Sequence, residues 1–445
     1  MKKKCFIWIV RLWLFCLPIQ THLVLKSAVL AGHDWPLGET SLYLLDILFV
    51  LMGIAALLVR NSWRPVFTKH LIGFVTFVGL IAVSVFLHHD ALNTWVLFLR
   101  YIEGLFVVAI LAVVPDKTRN LFIAFIAGMT LSSLFGIWQF AVQYVPSSTI
   151  FGIAGQMPFV SGVSVLVSSI GRFMRAYGTF SHPNIFAGYL AVAILMLLIV
   201  VLRRNHVVGN GRGWVYRFCV RHGWIVVALI LFAALAFSFS RSAWLGLAFG
   251  LIILVAVTMK RNYSYELRTW VIALCVPLIF LVINSSIFIP LISERVVARE
   301  SVEQVSLEDR HRSLVEGLDI IQDHWAEGIG LGRSTYYIEQ HSPGSLHWWE
   351  IQPPHNIFVL LAVEASVFTA LAFIVMLFLL ARDSYTLLKS KRHEMFPLSA
   401  FGLSGLVLVI VIGLFDHYLV TLPSGLFLLF VVCGFAIRGV HTETS

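Results

Sequence analysis

The residues of this chain that could do chemistry are a few histidines and arginines standing at the edges of apolar runs. His355 follows Pro353 and Pro354 and precedes Asn356 at the head of such a run. A proline pair fixes the start of a helix, which puts His355 at its lip. Imidazole titrates near neutrality and can take a proton from a hydroxyl group, so His355 reads either as a general base or as an interfacial side chain without chemistry. Asn356 can cap the helix or hydrogen-bond. Arg241 sits in SFSRSAWLGL (238–247), between two apolar runs too close together for a loop. Within a bilayer an unpaired arginine costs about 2.5–3.5 kcal/mol near the centre and less near the surface. An anionic partner would offset that cost.

Three further clusters carry polar groups. In RAYGTFSHPNIFAGYL (175–190), Arg175 precedes a turn at Gly178, and His182, Pro183 and Asn184 open the next run. In SLEDRHRSLVEGLDIIQDHW (306–325), Leu307, Leu314, Leu318, Ile321 and Trp325 recur at helical spacing with His311 filling one place. This predicts an amphipathic helix that packs or lies on a membrane surface, with Arg310 on its first turn and Arg312 pointing elsewhere. In LFDHYLVTLPSG (414–425), Asp416 can orient His417 or an arginine, or cap a helix. GIGLGR (328–333) follows no strand, so it reads as a turn rather than a dinucleotide fingerprint. The chain shows no HExxH, no DxD and no cluster of metal-ligand carboxylates. Arginine grips phosphate oxygens bidentately. The residues therefore point to a metal-independent site for a lipid-linked phosphate or diphosphate, with a histidine for proton transfer.

The elements that must position these groups follow from composition. Of 445 residues 59% are hydrophobic and only 12% charged, with a mean hydropathy of +0.88. Soluble domains carry about 25% charged residues, so a soluble enzyme, a disordered chain and a secreted disulfide scaffold are excluded. Apolar runs long enough to span a bilayer fall near 6–25, 40–59, 70–87, 92–114, 120–142, 183–202, 224–240, 242–259, 270–292, 355–381, 397–415 and 420–437. The reading is an all-α integral membrane protein of about twelve transmembrane helices, with a large outward-facing loop containing the amphipathic helix. Residues 1–292 hold the first nine helices and a smaller outer loop at 143–181. The large loop is 293–353, and 354–445 hold the last three helices. The N-terminal MKKK and its apolar run resemble a signal peptide, but Arg11 interrupts the run and no clear small-residue cleavage site follows, so a retained first helix is expected.

From an inside N-terminus, 21 of the 32 Lys and Arg fall on inner connections and nine on outer ones, with Arg11 and Arg100 within helices. The net charge of +9 is thus a topology signal under the positive-inside rule, and nucleic acid is not implied. Both termini are placed in the cytoplasm. The segment 293–353 carries eleven Asp and Glu against five Arg, which puts the chemistry on the outer side. Cys5, Cys16, Cys219, Cys275 and Cys433 lie in apolar stretches or beside a basic loop and give no disulfide framework.

At these residues the chain resembles the O-antigen ligase and polymerase superfamily of membrane glycosyltransferases. The resemblance rests on RAYGTFSHPNIFAGYL, SFSRSAWLGL, the 309–332 run, PHNIFVLLAVEAS (354–366) and LFDHYLVTLPSG, and it covers most of the chain. It implies that His355 is the catalytic base for an acceptor hydroxyl. It also implies that Arg241 and Arg310 hold the diphosphate of a polyprenyl-diphosphate-linked glycan, while Arg175 and Asn184 shape the donor site. His182, Asn356, Asp416 and His417 support it. No metal or cofactor is implied, and transfer inverts the sugar. The partners are the glycan donor, a glycolipid or glycan acceptor and membrane lipids, at the outer face of a bacterial inner membrane. The single large loop favours ligation to lipid A–core over polymerisation, and transfer to protein is the third alternative. One departure is visible: where the family places glycine about ten residues after the Asn, this chain has Ser366, with Thr369 beyond. A transporter or flippase, from a different class, would need polar groups at the bilayer midplane. Arg100 and Glu103, three residues apart, are such a pair and can satisfy each other.

Overall fold

The computed structural model describes residues 2–59, 69–88, 92–168, 171–202, 214–259, 301–341, 346–389 and 396–441. The expected span at 270–292 and the start of the large loop at 293–300 lie outside them. Among the described residues eight helices are long and apolar enough to cross a membrane, and Leu44–Leu58 and Gly223–Ser238 are shorter apolar helices. Lipid leaves no partner for a free peptide group, which is why runs of this composition are helical. The chain is an all-α integral membrane protein, and among the described residues the named β-strands form short two-stranded ribbons. It divides into two compact units.

The first unit comprises Met1–Thr21, Pro115–Glu303 and Arg392–Leu408. It holds α1 (Lys2–Cys16), α5 (Thr118–Val142), α6 (Pro183–Leu202), α7 (Trp214–Ser238) and α8 (Arg241–Met259). Arg11, the charge inside the first apolar run, is neutralised by a forked pair: its Nε and Nη2 each donate to an Asp116 carboxylate oxygen at 2.7 Å. Gly128 of α5 meets the Phe15 carbonyl so closely that an added Cβ would lie 2.1 Å from it. The α6 helix is apolar all round and buried along nearly its whole length, as a central helix must be. In the 143–181 segment, β5 (Val165–Ser168) and β6 (Gly171–Met174) form an antiparallel ribbon, with Val165 opposite Met174 and Ser168 opposite Gly171.

The second unit comprises His22–Val114, Gln304–Lys391 and Val409–Ser445. Its helices are α2 (Leu44–Leu58), α3 (Lys69–Leu87), α4 (Leu92–Val113), α9 (Ser301–His324), α10 (Ser334–His341), α11 (Ile357–Glu364), α12 (Val367–Lys389), α14 (Tyr418–Thr421) and α15 (Pro423–His441), while α13 (Phe396–Gly413) passes from the first unit into this one. Glycines let α4 and α15 close on each other: Gly104 abuts the Phe430 ring and Gly434 abuts Leu111. Arg438 then closes the end of α4 by donating to the Leu111 and Val114 carbonyls at 3.0 and 2.9 Å.

Residues 22–43 add a polar segment that hydropathy does not mark. Its outer strands, β1 (His22–Lys26) and β4 (Thr40–Tyr43), pair antiparallel, and β2 (Val29–Leu30) and β3 (His33–Asp34) form the hairpin between them. Leu30 and Trp35 drop into a core with Ile320, Ile329, Ile338, Ile351 and Val363. Burying a side chain of this size contributes about 1.5–3 kcal/mol, so the segment is fastened to the large loop.

The predicted amphipathic helix exists as α9, and its apolar stripe packs only in part, through the half-buried Ile321 against the core described above. Leu307, Leu318 and Trp325 are about half exposed, whereas Ser313 and Ile320 are buried. Gly317, between those two, presses against Pro354, where an added Cβ would lie 2.8 Å from the proline Cγ. The exposed stripe is what a helix lying on a membrane surface presents. The run expected as one span at 355–381 is broken into α11 and α12. At the break the Val363 carbonyl accepts from the Ile329 N–H (2.9 Å), the Glu364 carbonyl accepts from the Gly330 N–H (3.0 Å), and the Val367 N–H donates to the Trp325 carbonyl (2.9 Å). Ser366 has φ +138°. This is a conformation glycine adopts freely and other residues at a cost of about 1–3 kcal/mol. This is the position at which the resemblance noted above places a glycine. Ser366 offsets part of the cost as the cap of α12, its Oγ accepting from the Thr369 N–H at 3.2 Å.

Candidate functional site

The second unit gathers His355, Asn356, Arg310, Asp416 and His417. Asn356 is the N-cap of α11: its Oδ1 accepts from the Phe358 and Val359 N–H groups at 3.0 and 3.2 Å, and its Nδ2 donates to the Leu414 carbonyl at 3.4 Å. One side chain thus fixes the turn carrying His355 and ties it to the Asp416–His417 turn. The imidazoles of His355 and His417 lie 4.9 Å apart, centre to centre, at 59°. His417 is itself held. Its Nδ1 bonds the Thr421 Oγ1 at 2.9 Å, and that hydroxyl donates to the His417 carbonyl at 3.2 Å. The network assigns the proton to Nδ1 and leaves Nε2 as the lone-pair side. The Asp416 carboxylate accepts the His417 N–H at 3.1 Å.

Burial pushes the His355 imidazole well below the usual histidine range, with the His417 ring and the Arg310 guanidinium adding to the effect. His417 is lowered for the same leading reason, partly countered by Asp416 and reinforced by Arg310. Both rings are therefore neutral near pH 7, the form in which a histidine accepts a proton. The buried His355 Nδ1 has no hydrogen-bond partner among the described residues. Arg310 lies seven residues before Gly317 on α9, on the face that meets Pro354, and among the described residues no carboxylate forms an ion pair with it. Its neighbour Arg312 is spent on structure. It pairs with Asp309 at 2.8 Å and donates to the Glu350 carbonyl at 3.0 Å, tying α9 to the strap before Pro353, while His311 is exposed.

His355, Asp416 and His417 also present nitrogen and oxygen atoms within 4.8 Å of one another, a donor set that a cation could use. One His417 nitrogen is committed to Thr421, which leaves the other ring nitrogen for a cation or a proton.

The first unit positions the other arginines. Arg175 is 3% exposed, and each guanidinium nitrogen has an acceptor: Nε the Ser238 carbonyl (2.6 Å), Nη1 the Ser164 Oγ (2.8 Å) and Nη2 the Asn184 Oδ1 (2.6 Å). Such a fork joins the 164 ribbon, the start of α6 and the turn before Arg241. Arg175 is placed to shape that turn, with Asn184 as its partner. His182 caps α6, its Nδ1 accepting the Asn184 N–H at 3.1 Å. Gly178, at φ +59°, leaves room for Phe186 and the Ser132 Oγ, each 2.6 Å from an added Cβ. In SFSRS, α7 ends at Ser238, Phe239 takes φ +48°, and Arg241 is the first residue of α8. The free N–H groups of a helix start attract anions, and here the residue at that start is itself an arginine.

Glu364 and Thr421 went unnoticed in the sequence. The buried Glu364 carboxylate accepts from the Gly332 N–H at 2.8 Å, the Ser334 N–H at 3.3 Å and the Ser334 Oγ at 2.8 Å, pinning GIGLGR to the helix break. Its signal was a carboxylate inside an apolar run. Thr421 lies four residues after His417, one helical turn on.

Residues 226–374 match a protein-family model described as O-antigen ligase. Arg241, Arg310, His355 and Asn356 fall inside the matched stretch; Arg175, His182, Asn184, Asp416 and His417 fall outside it. A comparison with curated proteins gives no match.

Proposed function

We propose that this multi-pass membrane chain is a glycosyltransferase of the O-antigen ligase and polymerase superfamily, and that it transfers a glycan from a polyprenyl-diphosphate carrier to an acceptor hydroxyl at the outer face of the bacterial inner membrane, with lipid A–core as the acceptor. The observation that carries this reading is the His355 setting: a neutral imidazole fixed by the Asn356 cap, beside His417 and under the field of Arg310.

In the proposed step the acceptor oxygen attacks the anomeric carbon as its proton passes to His355. The carbon–oxygen bond to the diphosphate breaks, and its electron pair leaves on the diphosphate oxygen. Arg241 and Arg310 are assigned to that developing charge, the interaction that is often the largest in catalysis. Attack opposite the leaving group inverts the sugar. Proton transfer to a placed base contributes about 10²–10⁴-fold. No step calls on a metal.

The test uses the purified chain in lipid with a polyprenyl-diphosphate glycan, first alone and then with lipid A–core, chelator present throughout. Transfer to the core that is lost in His355→Ala and Arg241→Ala at equal protein level supports the reading. A ladder from donor alone makes the protein a polymerase. Wild-type rates in both variants overturn the assignment of roles, and absence of any product returns the chain to the transporter class.

A further inference from the structure

We propose that a cleft in the second unit is a subsite for the hydroxyl groups of a neutral sugar, that of the acceptor. In this it rests on the transfer reading above. Glu39, Ser41, Tyr43, Asn93, Arg100 and Thr421 supply its polar lining, with about 50 Å³ open to small groups. A single water needs roughly 10–15 Å³ on this measure, so the floor takes about three oxygen-sized groups, as one edge of a pyranose presents.

Three observations point to such an occupant. Ser41 is 7% exposed, and its hydroxyl is buried with no hydrogen-bond partner among the described residues. A buried hydroxyl left unpaired is destabilising, and a sugar hydroxyl would satisfy it.

The second observation is charge. Arg100 looks like an anion receptor, but its Nη1 donates to both Asp46 and Glu103 and its Nη2 to the Ser41 carbonyl at 2.8 Å. Two carboxylates already surround one guanidinium, and Glu39 adds a third at the cleft wall. The local balance is negative, which repels phosphate and suits neutral hydroxyls that donate to carboxylates. The same arithmetic removes Arg100 and Glu103 from a transport role, since they are satisfied within the fold.

The third observation is position. Thr421 lines the cleft and holds His417 Nδ1 at 2.9 Å, and the His417 ring packs on His355 at 4.9 Å. One side chain therefore separates the cleft from the histidine pair. Gly332 also lines the cleft, held there by Glu364 and by the Thr94 hydroxyl, which donates to the Leu331 carbonyl at 2.9 Å. An added Cβ at Gly332 would lie 3.3 Å from Leu97, so a larger residue here would press on a second side chain of the lining. GIGLGR thereby acquires a use: it shapes the side of a sugar cleft.

The experiment reads binding apart from turnover. Methyl β-D-glucoside and methyl β-D-galactoside, with glucose 1-phosphate as the anionic control, are titrated against the full chain in nanodiscs by saturation-transfer NMR. A neutral glycoside is expected to bind more tightly than glucose 1-phosphate. Ser41→Ala should weaken it by about 5- to 10-fold, the loss of one hydrogen bond, without lowering the melting temperature. Asn93→Leu, which replaces an amide of the lining by methyl groups of the same branching, should abolish it and raise the acceptor KM at least tenfold while leaving the donor KM unchanged. Failure of both glycosides to bind, equal binding by Asn93→Leu, or preference for the phosphate overturns the proposal. If the wild type transfers glycan and Asn93→Leu keeps its acceptor KM, the cleft assignment falls and the transfer reading stands. If nothing is transferred but glycoside binding is lost in Asn93→Leu, the transfer reading falls and the sugar cleft stands.

Discussion

Removing the Glu364 carboxylate tests whether the helix break and GIGLGR form one unit. The side chain is 4% exposed and accepts three hydrogen bonds, two at 2.8 Å and one at 3.3 Å. Among the described residues no cation forms an ion pair with it. Glu364→Ala orphans the Gly332 N–H, the Ser334 N–H and the Ser334 hydroxyl. Each buried donor left unmade costs about 1–3 kcal/mol. The longest of the three bonds is weak and the serine hydroxyl can turn to another acceptor, so about 3–6 kcal/mol is expected. Glu364→Gln keeps an oxygen toward Ser334 but sets its amide donor against the Gly332 N–H, a loss of about 1–3 kcal/mol. The order wild type, Gln, Ala would be read by denaturant unfolding of the full chain in detergent, followed by tryptophan fluorescence. Because Gly332 lines the sugar cleft, the acceptor KM should rise in the Gln variant more than the donor KM. A Glu364→Ala protein within about 1 kcal/mol of wild type, beyond the roughly 0.5 kcal/mol of an ordinary surface change, would refute the reasoning.

Three other outcomes are expected. The His355 and His417 pKa values lie below the ordinary 6.5, so the base stays available below that pH, and the acid limb of kcat/KM should fall under 6.5. Arg310→Gln removes a charge that lowers both and should move the limb upward. The stability these rings contribute is fully present above 6.5 and is lost as the pH drops through their lower folded values, which acid unfolding of wild type against His417→Gln would show. Arg175→Lys cannot span Ser238, Ser164 and Asn184 at once; losing two bonds from a charged donor costs about 3–5 kcal/mol, visible in unfolding, with a raised donor KM if the 238–241 turn shifts. Ser366→Gly relieves the φ of +138° and loses little of the cap, so its stability should equal or exceed wild type. Ser366→Ala keeps the strain and loses the cap, costing about 0.5–2 kcal/mol by the same assay.

Much of the site was legible because membrane helices make polar residues conspicuous. Two prolines before His355 and an asparagine after it announce a capped start, and that is how Asn356 is used. Arg241 was visible because two apolar runs abut with no loop between them. Where the sequence misled, the cause is physical. The apolar stripe of α9 marks a surface that prefers hydrocarbon, and lipid is as apolar as a protein core, so periodicity could not say which face packs. The packed face was marked by Gly317, whose signal is smallness. The use of Arg175 depends on the Ser238 carbonyl, a backbone acceptor no composition reveals. The 22–43 segment escaped because its strands are two to five residues long, too short for an alternation pattern. The pairing of His355 with His417 is long-range in sequence, and neither motif alone predicts it.

The interruption between α11 and α12 has a consequence for kinetics. A continuous helix spends its carbonyls on its own amides, but this one lends those of Val363 and Glu364 to Ile329 and Gly330 and takes the Trp325 carbonyl for Val367. The glycine-rich turn is thus stitched into the end of α11 as an extra strand is stitched into a sheet. Its amides can exchange with solvent only when the helix itself loosens, and their protection should rise and fall with that of α11. A turn with three glycines at positive φ would ordinarily pass for the floppiest part of the loop. Here it is held to the pace of α11.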